Sequence, residues 1–321
     1  MSLTPAQLDQ FHRDGYIIVP DVFSDAEMDA ALAAMDQTFY GKPFAAWLDD
    51  FDAGQTTGVS DGFTTTHNHE AGRTQFPTGA DALDRLIENE TYLDIFEQCL
   101  GDQPAYCNAH LFLRSGPTDK RHPEHPWEGY HIDHYTNCLL PPFDEVGRFD
   151  YVNSAAYLHD VEDDGAPMMM VPGSHKLAQQ AYLNAFAADN AAGGSFKDLR
   201  KAVELAEPVP AVAPRGAAAF YSSYTIHAAQ PFANKRVQRA FWTLSLCRRD
   251  NDAWTRFANP FIYGEREHMM PFLTSTTPQV RSLFGFPEPG HPYYTAKTLA
   301  LLESTIPGID VEPYRQGLAA F

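Results

Sequence analysis

The chain has 321 residues, of which 24 are Pro and 13% aromatic, with a formal charge of −19. That acidity argues against nucleic acid or an anionic membrane as a partner, since both need a concentrated positive field. Basic residues pair only at scattered points, Lys120-Arg121, Lys235-Arg236 and Arg248-Arg249. The length suffices for a substantial core, and no repeat or low-complexity linker divides it. The expectation is one domain over 1–321: an N-terminal helical part to about 100, a core from about 100 to 247 and a C-terminal extension from about 248. Cys99, Cys107, Cys138 and Cys247 show no CxxC spacing, and no apolar leader opens the chain, which predicts a reducing, cytoplasmic setting. No run of 18 apolar residues is present to span a bilayer.

In chain order, LTPAQLDQFHRDGY predicts a helix with Thr4 as N-cap, Pro5 at the first position and Gly15 as its stop. SDAEMDAALAAMDQTF predicts a second, with Ser24 and Glu27 spaced as a capping box. GADALDRLIENETYLDIFEQCLG predicts a third helical stretch. Between the last two, residues 56–79 are polar and turn-rich, a loop suited to covering a pocket. Its His67, His69 and Arg73, with Trp254 from the tail, are candidate substrate contacts. Many short apolar runs separated by Gly, Asn, Asp and Pro then predict a β-rich body.

The first of those strands, CNAHLFLR at 107–114, puts Ala109, Leu111 and Leu113 on one face and Asn108, His110, Phe112 and Arg114 on the other. The second face either meets solvent or lines a polar cavity. Next, GYHIDHYTNCLLPP at 129–142 carries His131, Asp133 and His134 within four positions. With 13 His and 42 acidic residues, about 1.7 His-x-(Asp/Glu) patterns arise by chance, so context must decide among the three present. His12/Asp14 lies on the first predicted helix, where residues two apart diverge. His122/Glu124 is flanked by prolines. Only His131/Asp133 has β-forming neighbours, and side chains two apart on a strand share a face. The competing explanation is a hydrogen-bonded His-Asp pair at a strand end. His134, at an odd offset, turns to the other face, while Tyr135 has the parity to line a pocket.

Met168, Met169 and Met170 read as core strand, and His175 in PGSHK as a turn brace. Beyond Pro214-Arg215-Gly216, AAAFYSS and RAFWTLSL read as strands with His227 between them. His227 is either a third metal ligand or a satisfied core histidine. Two His and a carboxylate on one face of an ion leave adjacent positions open, the arrangement of non-haem Fe(II) oxygenases. Arg239, twelve residues after His227, offers a fork for a carboxylate of a co-substrate. It is preferred to Arg236 because strand residues follow it directly.

LTPAQLDQFHRDGYIIVPDVFS, HIDHY, DDGAPMMMVPGSHK and the block from His227 to Arg239 together resemble, in order, the phytanoyl-CoA dioxygenase family of Fe(II)- and 2-oxoglutarate-dependent oxygenases. The resemblance covers roughly residues 3 to 247. It implies a β-rich α+β fold, a double-stranded β-helix (jelly roll, cupin-like) braced by N-terminal helices. It implies His131, Asp133 and His227 as iron ligands and catalytic centre, and Arg239 as the partner of the distal carboxylate of 2-oxoglutarate. Arg114 and, less directly, Asn108 are further candidates for contacting the co-substrate or substrate. Family members often carry a hydroxyl residue two positions after the distal histidine; here that residue is Ala229. The implied reaction consumes O₂ and 2-oxoglutarate, releases succinate and CO₂, and hydroxylates a C–H bond of a small molecule. Related halogenases lack the carboxylate ligand, so Asp133 favours hydroxylation. A CoA thioester would want clustered Lys and Arg, which this chain lacks. The alternative class is a jelly-roll protein that binds a metal and a small acid without oxidative chemistry. The aromatic tail reads equally as a pocket cover and as a homodimer contact.

Overall fold

The computed structural model describes residues 2–56, 72–119, 130–133, 149–177, 204–250 and 266–315, with the backbone alone for 72–75, 266 and 267. Helix α1 (Pro5–Asp14) has the expected ends: Thr4 and Gln7 form a reciprocal capping box, and the Gly15 N–H closes on Phe11 O at φ +79°. A Cβ at Gly15 would lie 2.3 Å from His175 Nδ1 and 2.6 Å from Thr225 Oγ1, so only glycine admits the chain here before β1 (Tyr16–Val19). Helix α2 (Asp25–Tyr40) starts on the Ser24/Glu27 capping box, and α3 (Phe44–Asp52) follows.

The third helical stretch is divided into α4 (Asp81–Asp84), a 3₁₀ turn (Arg85–Glu88) and α5 (Glu90–Leu100). Asn89 causes the break. Its side-chain oxygen caps α5 at Tyr92 N–H, and its amide donates to Val22 O and Glu27 Oε1, tying the break to α2.

Strands β2 (Gly72–Gln75), β3 (Pro104–Ser115), β4 (Tyr151–Tyr157), β5 (Met168–Met170), β6 (Val209–Ala211), β7 (Ala218–Ser222), β8 (His227–Ala229) and β9 (Gln238–Arg248) form two antiparallel sheets with β1. The larger has the order β1-β7-β4-β9-β3-β2 and the smaller β6-β5-β8. Alternation gives the large sheet two buried faces. Leu111, Leu113, Val152, Phe220, Trp242 and Leu244 point outward into the main core, beneath Phe11, Met28, Met35, Tyr92 and Phe96 of the helices. Ala155, Tyr157, Tyr221 and Phe241 point inward and meet Met168, Met170 and Ala211 of the small sheet. Two sheets closed over a shared interior, with helices on one outer face, make the expected jelly roll with its N-terminal brace.

The C-terminal extension forms α6 (Arg266–Ser275), α7 (Pro278–Leu283), α8 (Ala296–Thr305) and α9 (Glu312–Arg315). Phe272 packs on Phe76 with ring centroids 4.8 Å apart, and Phe284 on Tyr106 at 4.6 Å. Buried Arg281 clamps these turns by donating to the carbonyls of Leu273, Thr274 and Asp310. The run from Phe272 to Tyr294 therefore extends the outer core rather than covering the interior. The aromatic stretch 254–263 and the loop 57–71 lie outside the described residues.

Candidate metal centre

The inner face of the large sheet is ordered by register. Asn108, Ser245, Asn153 and Tyr221 stand on neighbouring strands at one level. His110, Thr243, Ala155 and Ala219 form the next, then Phe112, Phe241 and Tyr157, and finally Arg114 opposite Arg239. The half-polar face of β3 thus lines the interior. A β-bulge between Tyr106 and Asn108 puts Tyr106 on the outer side, against Phe284, and Asn108 within.

His131 and His227 meet through a two-way backbone bridge, each N–H donating to the other's carbonyl at 3.0 Å. The Asp133 N–H donates to Ser223 O at 2.9 Å. The expected strand around His131 is, among the described residues, this single bridge, with Asp133 at a bend. Both side chains still converge. One ligand atom from each of His131, Asp133 and His227 lies within 4.8 Å of the others. Asp133 Oδ1 is 3.4 Å from His131 Nε2, and Oδ2 is 3.5 Å from His227 Nε2.

The donor set suits a divalent cation. His227 Nδ1 lies 2.9 Å from Thr225 O, which assigns the proton to Nδ1 and leaves the Nε2 lone pair facing the site. Burial lowers the pKa of His227 against the pull of Asp133, favouring the neutral ligand form. For Asp133, burial raises the pKa, but His227 and His131 outweigh it and hold the carboxyl well below the usual range. Two neutral imidazoles and one carboxylate are the facial set that iron(II) oxygenases use.

Arg239, the second residue of β9, is 1% exposed. Its Nη1 donates to Ala166 O at 2.6 Å, while Nε has no partner. Among the described residues no carboxylate ion-pairs with it. Phe241 and Phe112 flank it, their ring centroids 4.8 and 5.9 Å from Cζ. Burial and the neighbouring Arg114 push its pKa well below the ordinary arginine value. Arg114 differs: it donates to Asp119 Oδ2 and Gln230 O, both at 2.8 Å. The rival Arg236 sits at the surface, 62% exposed and paired with Asp52. Asn108 lies beside His110, Nδ2 to Nδ1 at 3.5 Å. His134, Tyr135, His67, His69 and Trp254 fall outside the described residues, as does the side chain of Arg73.

Asn153, Tyr221 and Asp119 are members of this interior that sequence reasoning missed. Asn153 Nδ2 donates to Asp133 Oδ2 at 2.8 Å. The Tyr221 ring packs 4.9 Å from His227, and burial together with the neighbouring Asp133 carboxylate pushes its pKa well above the ordinary phenol value. An asparagine inside the otherwise strand-forming run YVNSAAY was the available signal for the first.

His175 braces rather than ligates: its Nε2 meets His12 O at 3.1 Å, and Nδ1 is buried without a partner. Burial lowers its pKa to about 4. The unfolded chain, with His near 6.5, therefore takes up the proton first on acidification. This contribution is complete above about pH 6.5 and is lost as pH falls towards 4, reaching about 3 kcal/mol. Urea denaturation at pH 7 and 4.5 should show a smaller pH dependence in His175→Gln than in the wild type.

The phytanoyl-CoA dioxygenase (PhyH) family model matches residues 11–240. Comparison with curated proteins gives no match. Among solved structures, the chain resembles the non-haem α-ketoglutarate dependent carbocyclase SnoK from nogalamycin biosynthesis at 16% identity, covering 82% of this chain and 90% of that one with a TM-score of 0.51. EctD from S. alaskensis, solved with 2-oxoglutarate and 5-hydroxyectoine, is 18% identical over 80% of each chain, with a TM-score of 0.51. AviO1 from Streptomyces viridochromogenes Tue57 is 16% identical over 78% of this chain and 97% of that one, with a TM-score of 0.50. These likenesses concern the fold. His131, Asp133 and His227 form a facial triad of the non-haem Fe(II)/2-oxoglutarate oxygenase type. Because the matched segment runs from α1 to β9 and contains all three of those side chains and Arg239, the chain belongs to the phytanoyl-CoA dioxygenase family.

Proposed function

We propose that the protein is an Fe(II)- and 2-oxoglutarate-dependent dioxygenase that hydroxylates an unactivated C–H bond of a small-molecule metabolite. Substrate, O₂ and 2-oxoglutarate would give hydroxylated substrate, succinate and CO₂. The observation that carries this reading is a triad sharing one interior with a buried guanidinium that has no carboxylate partner among the described residues. Iron bound by His131, Asp133 and His227 would supply O₂ activation at the expense of 2-oxoglutarate.

The chain's own residues supply placement. Arg239 receives the distal carboxylate, for which its unpaired Nε and its dry surroundings are prepared. Arg114, paired with Asp119, forms a second wall of that pocket without adding net charge. Tyr221, its ring 4.9 Å from His227, lines the interior beside the triad. Asn108 and His110 form the polar wall on β3 that a substrate would meet. The aromatic level of Phe112, Phe241 and Tyr157 keeps water from the arginine end.

Supplying the protein with Fe(II), 2-oxoglutarate and O₂ and measuring succinate tests the reading. Succinate release, even without added substrate, is the expected result. Folded, metal-loaded protein that releases none overturns it in favour of a non-oxidative binding protein.

A further inference from the structure

Asn153 occupies the middle of β4, 3% exposed, between Val152 and Ser154, which are fully buried. Asparagine is a poor strand former, and a buried amide without partners costs about 1–3 kcal/mol. Its presence at the centre of the large sheet calls for a polar partner, and the structure supplies one: Nδ2 donates to Asp133 Oδ2 at 2.8 Å. The carboxylate only accepts, so the amide must turn its nitrogen towards it. Asp133 itself sits at a bend, its backbone held by the bond to Ser223 O. The side chain is oriented from the other side, by β4.

Resting on the functional reading above, we infer that Asn153 is a positioning residue for the metal centre. Its amide holds the Asp133 carboxylate by Oδ2 at 2.8 Å and so fixes the plane in which Oδ1, 3.4 Å from His131 Nε2, and Oδ2, 3.5 Å from His227 Nε2, face the two imidazoles. Asn153 acts through Asp133 and touches neither metal nor substrate. The ladder explains the rigidity of the arrangement: Asn153 is paired with Tyr221 on one side and Ser245 on the other. Both neighbours belong to strands inside the sheet, so the amide cannot drift without moving the barrel wall. Removing the amide takes away a bond that fixes the carboxylate plane, and a ligand whose orientation is loosened binds a metal more weakly.

The test is anaerobic titration of the intact chain with Co(II), read by its visible absorption, in the wild type, Asn153→Ala and Asn153→Thr. Threonine keeps a strand-forming residue but its hydroxyl is too short to reach Oδ2, so it serves if the alanine variant fails to fold. Apo circular dichroism and urea midpoints identify folded variants. Expected are a 10–100-fold weaker Co(II) affinity and a changed absorption envelope in folded variants. Affinity within twofold of wild type and an unchanged spectrum would overturn the positioning role while leaving the oxygenase reading intact. A wild type whose Co(II) binding is indifferent to His131→Ala and His227→Ala would overturn both.

Discussion

Replacing Asp133 by alanine reduces succinate formation to background, a loss of at least about a thousandfold, because the triad then offers a dication two neutral imidazoles and no charge. The apo fold should survive. Asp133 is partly exposed and lies in a connecting segment; its backbone bond to Ser223 O does not involve the side chain. Loss of activity with unchanged circular dichroism separates ligand removal from unfolding. Metal-dependent stabilisation supplies a second readout: saturating metal should raise the wild-type Tm and leave that of Asp133→Ala nearly unmoved, since only a ligand that binds the native state shifts the equilibrium. Native-rate succinate formation in the variant would contradict the ligand assignment.

Arg239→Met should have two effects of opposite sign. Losing a charge-assisted, potentially bidentate contact to the distal carboxylate should raise the KM for 2-oxoglutarate by about a hundredfold or more, equivalent to about 3 kcal/mol. In the absence of 2-oxoglutarate the same change should leave stability unchanged or increase it by about 1–3 kcal/mol. A guanidinium buried beside Arg114 with an unpartnered Nε is a cost to the empty fold. Urea denaturation with and without 2-oxoglutarate measures both. Arg239→Lys should not restore binding, because a point charge on a differently shaped stem does not reproduce the fork. Arg236→Ala, which removes an exposed pair with Asp52, should leave the KM unchanged. Equal KM values in Arg239→Met and wild type would remove Arg239 from the co-substrate site.

Much of this design is short-range and was therefore legible in the residues. The Thr4 cap, the Ser24/Glu27 box and the Gly15 stop are settled within one helical turn. The split of β3 into an apolar and a half-polar face follows from strand alternation. The His131/Asp133 pair was separated from two chance copies of the same pattern by its neighbours. His227, by contrast, was chosen through resemblance and its spacing to Arg239, since no local pattern distinguishes it from a core histidine.

The remainder depends on partners distant in the chain. The interruption of the third helix at Asn89 arises because Val22 and Glu27, more than sixty positions earlier, take its amide. The aromatic runs of the C-terminal extension suit a pocket cover or a dimer contact; the meeting of Phe272 and Phe284 with Phe76 and Tyr106 puts the run from Phe272 to Tyr294 on the outer core, while 254–263 lies outside the described residues. Asn153 became visible as part of the centre only once β4 was placed between β7 and β9.

By itself the sequence determined which residue types stand ready for metal and carboxylate chemistry, and which local elements carry them, because caps, turns and alternation act over a few positions. Tertiary structure alone decided which way the half-polar face of β3 turns, that Arg239 is buried in the interior with no carboxylate partner among the described residues, and which amide holds Asp133. These are properties of sheet order and register, where residues far apart in the chain become neighbours a few ångströms apart.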